Sequence, residues 1–81
     1  MSREEILKII KTAFDEVFDM DGVVYSEELT QDDVEDWDSV GHIYLTVKLD
    51  ELFNSELDEE MMDVSDVGGI ADLVEKKLGG K

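Results

Sequence analysis

The sequence predicts an all-α fold: a small helical bundle of three main helices plus one short helix, with a long loop between the first and second helices. Three observations carry that expectation. Apolar residues recur every three or four positions, with charges between them, in three separate stretches. Strand-like alternation of apolar and polar residues is missing from the chain, as is any internal repeat. Finally, 81 residues, 42% of them hydrophobic, suffice for a single domain over 1–81 with one modest core.

The first helix is expected from about Arg3 to Phe18. Ser2 followed by Glu5 has the form of a capping box, and Ile6, Leu7, Ile10, Ala13, Phe14, Val17 and Phe18 then fall at helical spacing. Asp19 to Asp36 reads as loop. Asp21-Gly22 is a turn signal, and the stretch from Asp21 to Asp38 holds eight acids and no base. Val23, Val24, Leu29 and Val34 are expected to pin this loop to the core. A loop of this length is uncommon in so small a domain and is often functional.

Asp38 is an acceptable N-cap for a second helix that runs to about Asn54. Its apolar positions, Val40, Ile43, Tyr44, Val47, Leu49, Leu52 and Phe53, are too many for one buried stripe, so it should be a central helix with more than one contacted face. Leu45, Leu49 and Phe53 are read as core. Val40, Ile43 and Val47 form a stripe below Ser39, with Val40 and Val47 partly exposed. Asn54-Ser55 breaks the helix. Asp58 to Met62 suits one short helical turn, and Ser65 should cap a last helix carrying Val67, Ile70, Leu73, Val74 and Leu78. Gly68 and Gly69 weaken its start, by roughly 1 kcal/mol each relative to Ala. Lys76 and Lys77 suit the negative end of its dipole, and Gly79-Gly80 should stop it.

Charge and composition narrow the function. With 23 acids against 7 bases the formal net charge is -16, which opposes binding to nucleic acid or to anionic membranes. It favours partners with basic docking patches, met quickly through electrostatic steering. No stretch is long enough to span a membrane and no signal-peptide pattern opens the chain, so a cytoplasmic monomer is expected. There is no cysteine, hence no disulfide and no thiolate ligand. Any thioester chemistry must therefore use a thiol carried on a cofactor. No Ser/His/Asp set, no phosphate-cradling Gly-rich loop and no metal cluster of good spacing is present, so neither a catalytic residue nor a metal site is assigned, and an enzyme is not expected.

One motif remains. Asp38-Ser39-Val40 lies where the acidic loop meets the second helix, which sets the Ser39 hydroxyl at a helix N-terminus. Free N–H groups and the helix dipole favour a phosphate there. The run Asp36-Trp37-Asp38-Ser39-Val40-Gly41-His42-Ile43, continuing through Leu49-Asp50-Glu51-Leu52-Phe53, resembles the acyl carrier protein family. That family's signature is Asp-Ser followed by Leu, Met or a similar residue, on a helix ending aliphatic–acid–acid–x–Phe. The order of first helix, acidic loop, serine-led helix, short helix and last helix extends the resemblance over nearly the whole chain, and it looks most like free-standing carriers.

The resemblance implies that Ser39 carries 4′-phosphopantetheine, delivered from coenzyme A by a phosphopantetheinyl transferase, and that its thiol holds acyl or aminoacyl groups as thioesters for acyl-loading and acyl-processing enzymes. Asp38 would support attachment by helping to bind the transferase's Mg²⁺. Val40, Tyr44, Val47, Asp50 and Glu51 are the expected partner-binding residues. The chain departs from the fatty acid carriers in placing Gly41 and Tyr44 where acids often stand early in that helix, and Lys48 adds a positive charge. A specialised, polyketide-like or other secondary pathway is therefore expected, with ordinary fatty acid synthesis as the alternative.

Two residues and two rival readings complete the picture. Trp37 is expected to pack as a brace for the chain entering the second helix. His42, the single histidine, lacks an acid partner in sequence and is expected at the surface or in docking. Asp19, Asp21, Gly22, Val24 and Glu28 fit positions of a calcium-binding EF-hand loop, but Val17 occupies the first ligand position and has no oxygen to offer. A purely acidic interaction module explains the charge and leaves Ser39 and its helix unexplained.

Overall fold

The structure is a computed structural model that describes residues 2–79, and the side chains of all of these except 58, 59 and 79. It is compact and helical, with three long helices: α1 (Arg3–Val17), α2 (Ser39–Phe53) and α4 (Val67–Gly79). The short helix expected before the last one amounts to a single turn, α3 (Asp58–Met61). A second short element, a 3-10 turn at Gln31–Asp33, interrupts the first loop. No strand forms among the described residues beyond an isolated antiparallel bridge between Thr30 and Asp66.

The capping box of α1 is present in both directions: Glu5 N–H donates to Ser2 Oγ at 3.2 Å, and Ser2 N–H donates to Glu5 Oε1 at 3.0 Å. The Ser2 N–H and hydroxyl, both donating to Glu5 Oε1, hold the Glu5 carboxyl below the usual range. The helix stops at Val17, with Phe18 extended behind it. Ile6, Ile10, Ala13 and Phe14 make its buried face, which packs against both α2 and α4. Leu45, Leu49 and Phe53 meet it from α2, as expected, and Ile70, Ala71 and Val74 from α4. Phe14 is the hub, meeting Phe18, Tyr25 and Trp37 edge-on at centroid distances of 5.4, 6.0 and 4.9 Å. Edge-to-face pairing of this kind adds to simple burial.

The long loop is tied down along its length. Leu29 and Val34 are buried and Val23 partly so, whereas Val24 is exposed and anchors nothing, because the chain turns its side chain outward between two inward-facing neighbours. Tyr25 Oη donates to the Leu7 carbonyl at 2.9 Å, and burial pushes its phenol upward. The middle of the loop serves as the cap of α4: Val67 N–H donates to Leu29 O at 3.0 Å and Gly68 N–H to Glu27 O at 2.8 Å. Both donors belong to the first turn, where a helix supplies no partners of its own. The side-chain cap is Asp66, whose Oδ1 accepts from Gly69 N–H at 2.7 Å, and not Ser65, which uses its carbonyl to receive Gln31 N–H. Gly68 does more than weaken the helix. A Cβ there would stand 3.1 Å from the Glu27 carbonyl, so the glycine admits the loop that caps it. Lys76 and Lys77 fall in the last turn as expected; Gly80 lies outside the described residues.

Arg3 ties the start of α1 to the loop and to α4. Its guanidinium reaches Glu27 at 2.6 Å, Glu75 at 2.7 Å and Asp72 at 2.9 Å, joining α1, the loop and α4. In a chain this acidic, one cation shared by three carboxylates also relieves repulsion among them.

Candidate functional site

Asp38 caps α2 as the sequence suggested: its backbone is extended and its Oδ1 accepts from Gly41 N–H at 2.8 Å. Ser39 is the first helical residue. It is exposed, and its hydroxyl makes no hydrogen bond among the described residues. The first turn carries no acid beyond the cap, so the positive end of the helix dipole stands open beside that hydroxyl.

What holds this turn in place was not expected. His42 is buried, with 7% of its surface exposed, and both ring nitrogens are engaged. Trp37 Nε1–H donates to His42 Nδ1 at 2.8 Å, and His42 Nε2 lies 2.6 Å from the Met61 carbonyl oxygen. An indole can only donate and a carbonyl can only accept, so these partners specify the neutral imidazole with its hydrogen on Nε2. The expectation that His42 serves at the surface is thus corrected. It is a linchpin between the segment entering α2 and the end of α3. Trp37 packs inside, as expected, and a buried indole N–H requires an acceptor. The histidine five residues on was the available signal.

Gly41 is also buried, not part of an exposed docking face. A Cβ there would fall on the Asp36 carbonyl oxygen and 2.9 Å from Phe18 Cε1. The chain crosses the start of α2 so closely that no larger residue fits. Its place in the sequence is therefore a packing requirement and says nothing of charge preference.

The outward face of α2 is apolar. Val40 and Ile43 are each 58% exposed, Tyr44 63% and Val47 51%. Val40 and Val47 match the expectation of partial exposure. Two adjoining hollows flank this face on the α3 side. One, of about 300 Å³, begins at Ser39 and is bounded by Gln31, Ile43, Met62 and Val64, with His42 as part of its lining. The next, of about 230 Å³, continues along Ile43, Thr46, Val47 and Met62. On the opposite side, Tyr44 and Val47 share a shallow depression with Val17, Lys48 and Glu51.

The two acids expected to steer partners differ in what they do. The Asp50 carboxylate accepts from Leu57 N–H at 2.9 Å and shapes the connection to α3. Glu51 is exposed. Lys48 does not stand as a free positive charge: its Nζ lies 2.6 Å from Glu16 Oε1 on α1, which holds the ammonium above its usual range. Among the described residues no three His, Cys, Asp or Glu side chains converge to hold a metal ion, and no helix is long and apolar enough to cross a membrane.

The chain matches no family model, no curated protein and no solved structure. Function must therefore be argued from the site itself: an exposed serine hydroxyl on a helix N-terminus, next to an apolar face larger than the core requires.

Proposed function

We propose that the protein is an acyl carrier, with 4′-phosphopantetheine attached to Ser39 and thioester cargo held on its thiol. The observation that carries this reading is the unengaged Ser39 hydroxyl on the first residue of a fifteen-residue helix, at the head of a groove lined by both apolar and polar side chains. A phosphodiester suits that position because the open N–H groups and the dipole favour its negative charge. Its arm would leave the bundle without breaking a hydrogen bond, since the exposed Ser39 side chain makes none among the described residues. Asp38, fixed by Gly41 N–H, presents a carboxylate beside the serine, where the transferase's Mg²⁺ would sit. With no cysteine in the chain, the cofactor supplies the only thiol.

A carrier of this kind catalyses nothing itself. It raises the local concentration of its cargo at each partner's active site by tethering. Val40, Tyr44 and Val47 offer the partner an apolar patch, Glu51 an exposed charge at its far end, and the net charge of -16 draws in enzymes with basic docking surfaces. This face favours a dedicated, specialised pathway over housekeeping fatty acid synthesis. That preference now rests on Val40, Tyr44 and Val47, since Gly41 is buried and Lys48 is paired with Glu16.

The test is direct. With coenzyme A, Mg²⁺ and a broad-range phosphopantetheinyl transferase, the serine oxygen should displace adenosine bisphosphate and form one phosphodiester. Intact mass should show a single phosphopantetheine, peptide mapping should place it on Ser39, and Ser39→Ala should gain none. Absence of modification under conditions that load other carriers, or modification at Ser26, Ser55 or Ser65, overturns the assignment.

A further inference from the structure

If Ser39 holds a thioester, the structure also bears on what kind. A long alkyl chain gains free energy with each methylene taken out of water. Cargo on Ser39 therefore settles wherever apolar walls can enclose it. Two resting places are conceivable: the groove outside α2, or the bundle core beneath it.

The groove beside Ser39 is small, about 300 Å³, and mixed in character: apolar Ile43, Met62 and Val64 line it together with polar Gln31, Asp63 and Ser65. It can cover a short chain, or a short chain bearing a polar substituent. It cannot enclose a long one, because part of its wall is polar and the hollow that continues it along Ile43, Thr46, Val47 and Met62 is smaller still, about 230 Å³. The way from this groove into the core is closed by His42. The imidazole lines both hollows and is held on either side by Trp37, 1% exposed, and Met61, wholly buried. Beyond it lie Leu45, Leu49 and Leu57, each without exposed surface. An alkyl chain passing inward must displace the ring and break two buried hydrogen bonds, of 2.8 Å to Trp37 and 2.6 Å to Met61. That leaves an indole N–H and a carbonyl without partners in a dry interior, the costliest way to lose a hydrogen bond.

We infer that cargo on Ser39 rests in the outer groove, barred from the core by the Trp37–His42–Met61 bridge, and that the protein is built for short acyl groups, including those with polar substituents. His42 is then a specificity-determining residue that acts by closing the core to the cargo. The inference rests on the carrier reading, and the experiment keeps the two apart.

Wild type, His42→Gln and His42→Ala are loaded by the transferase from acetyl-, butanoyl-, octanoyl- and dodecanoyl-coenzyme A, and mass verifies each product. Failure to load Ser39 at all sinks the carrier reading and this inference with it. For loaded protein the readouts are the thermal midpoint and the emission of Trp37, the single tryptophan. The midpoint of wild type should rise as far as butanoyl and then stay level to dodecanoyl, with Trp37 emission unchanged throughout. His42→Gln, whose amide offers one acceptor and one donor, should follow wild type. His42→Ala, if folded, should show a midpoint that keeps climbing to dodecanoyl and an emission that changes with it. A wild-type midpoint that climbs through dodecanoyl with altered emission means the chain has entered the core, and the inference fails. It fails equally if butanoyl moves nothing, or if folded His42→Ala is as level as wild type. Should His42→Ala not fold, the wild-type and Gln series decide alone.

Discussion

α1 and α2 are both fifteen residues long, and they treat apolar residues in opposite ways. On α1 the exposed positions are Glu4, Glu5, Lys8, Lys11, Thr12, Asp15 and Glu16, every one polar, and the apolar side chains face the core or its edge. On α2 the core takes Leu45, Leu49 and Phe53, yet Val40, Ile43, Tyr44, Val47 and Leu52 remain exposed. α1 thus carries about as much apolar surface as folding requires, while α2 carries a surplus. Isolated apolar residues on a surface need no explanation, but a contiguous set along one helix face marks a place where something binds. Ser39 stands at the head of that surplus.

The sharpest way to break the comparison is to attack the helix whose apolar residues serve folding alone. Phe14 is fully buried and meets three other aromatic rings. Phe14→Ala should cost about 3–5 kcal/mol through lost burial and the cavity left behind. A domain of this size has about 4–12 kcal/mol in all. Urea denaturation should therefore show a variant largely unfolded or close to it. A loss under about 1 kcal/mol would mean that the aromatic hub is not the centre of the fold.

The same contrast explains what could be read from the residues alone. Periodicity located α1, α2 and α4 to within a residue or two, because an amphipathic pattern and a cap are local signals: Ser2 with Glu5, and Asp38 before Ser39. The loop's course was legible only in part. Leu29 and Val34 pin it as their hydrophobicity suggests, but its backbone caps α4 through Glu27 and Leu29, and carbonyls leave no mark in a sequence. For the same reason Asp66, not Ser65, could be identified as the cap only from coordinates. At the start of α2, the Asp38 cap and the place of Ser39 as first helical residue were legible because a cap is a local signal. His42 and Gly41 were misjudged because their roles depend on partners brought in by tertiary packing, the Met61 carbonyl for one and Asp36 with Phe18 for the other. A polar residue and a glycine early in an amphipathic helix look like surface until the neighbouring segment is placed.

Gly41 sharpens the comparison at the next level of effect, since it lies on α2 yet faces inward. Gly41→Ala adds one methyl group against the Asp36 carbonyl and Phe18. In most helix interiors Ala for Gly stabilises, by roughly 0.5–1 kcal/mol. Here overpacking should win, with a net loss of about 1–3 kcal/mol. Trp37 emission should also shift, because Asp36 and Trp37 must move to make room. A stabilised Gly41→Ala protein with unchanged emission would show that the crossing is loose and that Gly41 is surface after all.

The smallest effect on stability is expected where the effect on function should be largest. Val40 and Val47 lie more than half exposed on α2, so shortening and polarising them removes little burial. Val40→Ser with Val47→Ser should change the unfolding free energy by no more than about 0.5 kcal/mol per site, as for most surface substitutions. Ser and Val have nearly equal helix propensities, so the backbone adds little to that change. If these side chains form the centre of a docking patch, however, their loss should weaken the productive encounter with an enzyme acting on Ser39. The rate of phosphopantetheine attachment by a saturable transferase measures that, with KM expected to rise about tenfold for a loss of about 1.4 kcal/mol at the interface. Two results would sink the contrast between the helices. A stability loss approaching that of Phe14→Ala would make both valines core, and α2 would have no surplus. An unchanged KM beside unchanged stability would leave the apolar face of α2 without this partner, and the search would move to the enzymes that load and process the cargo.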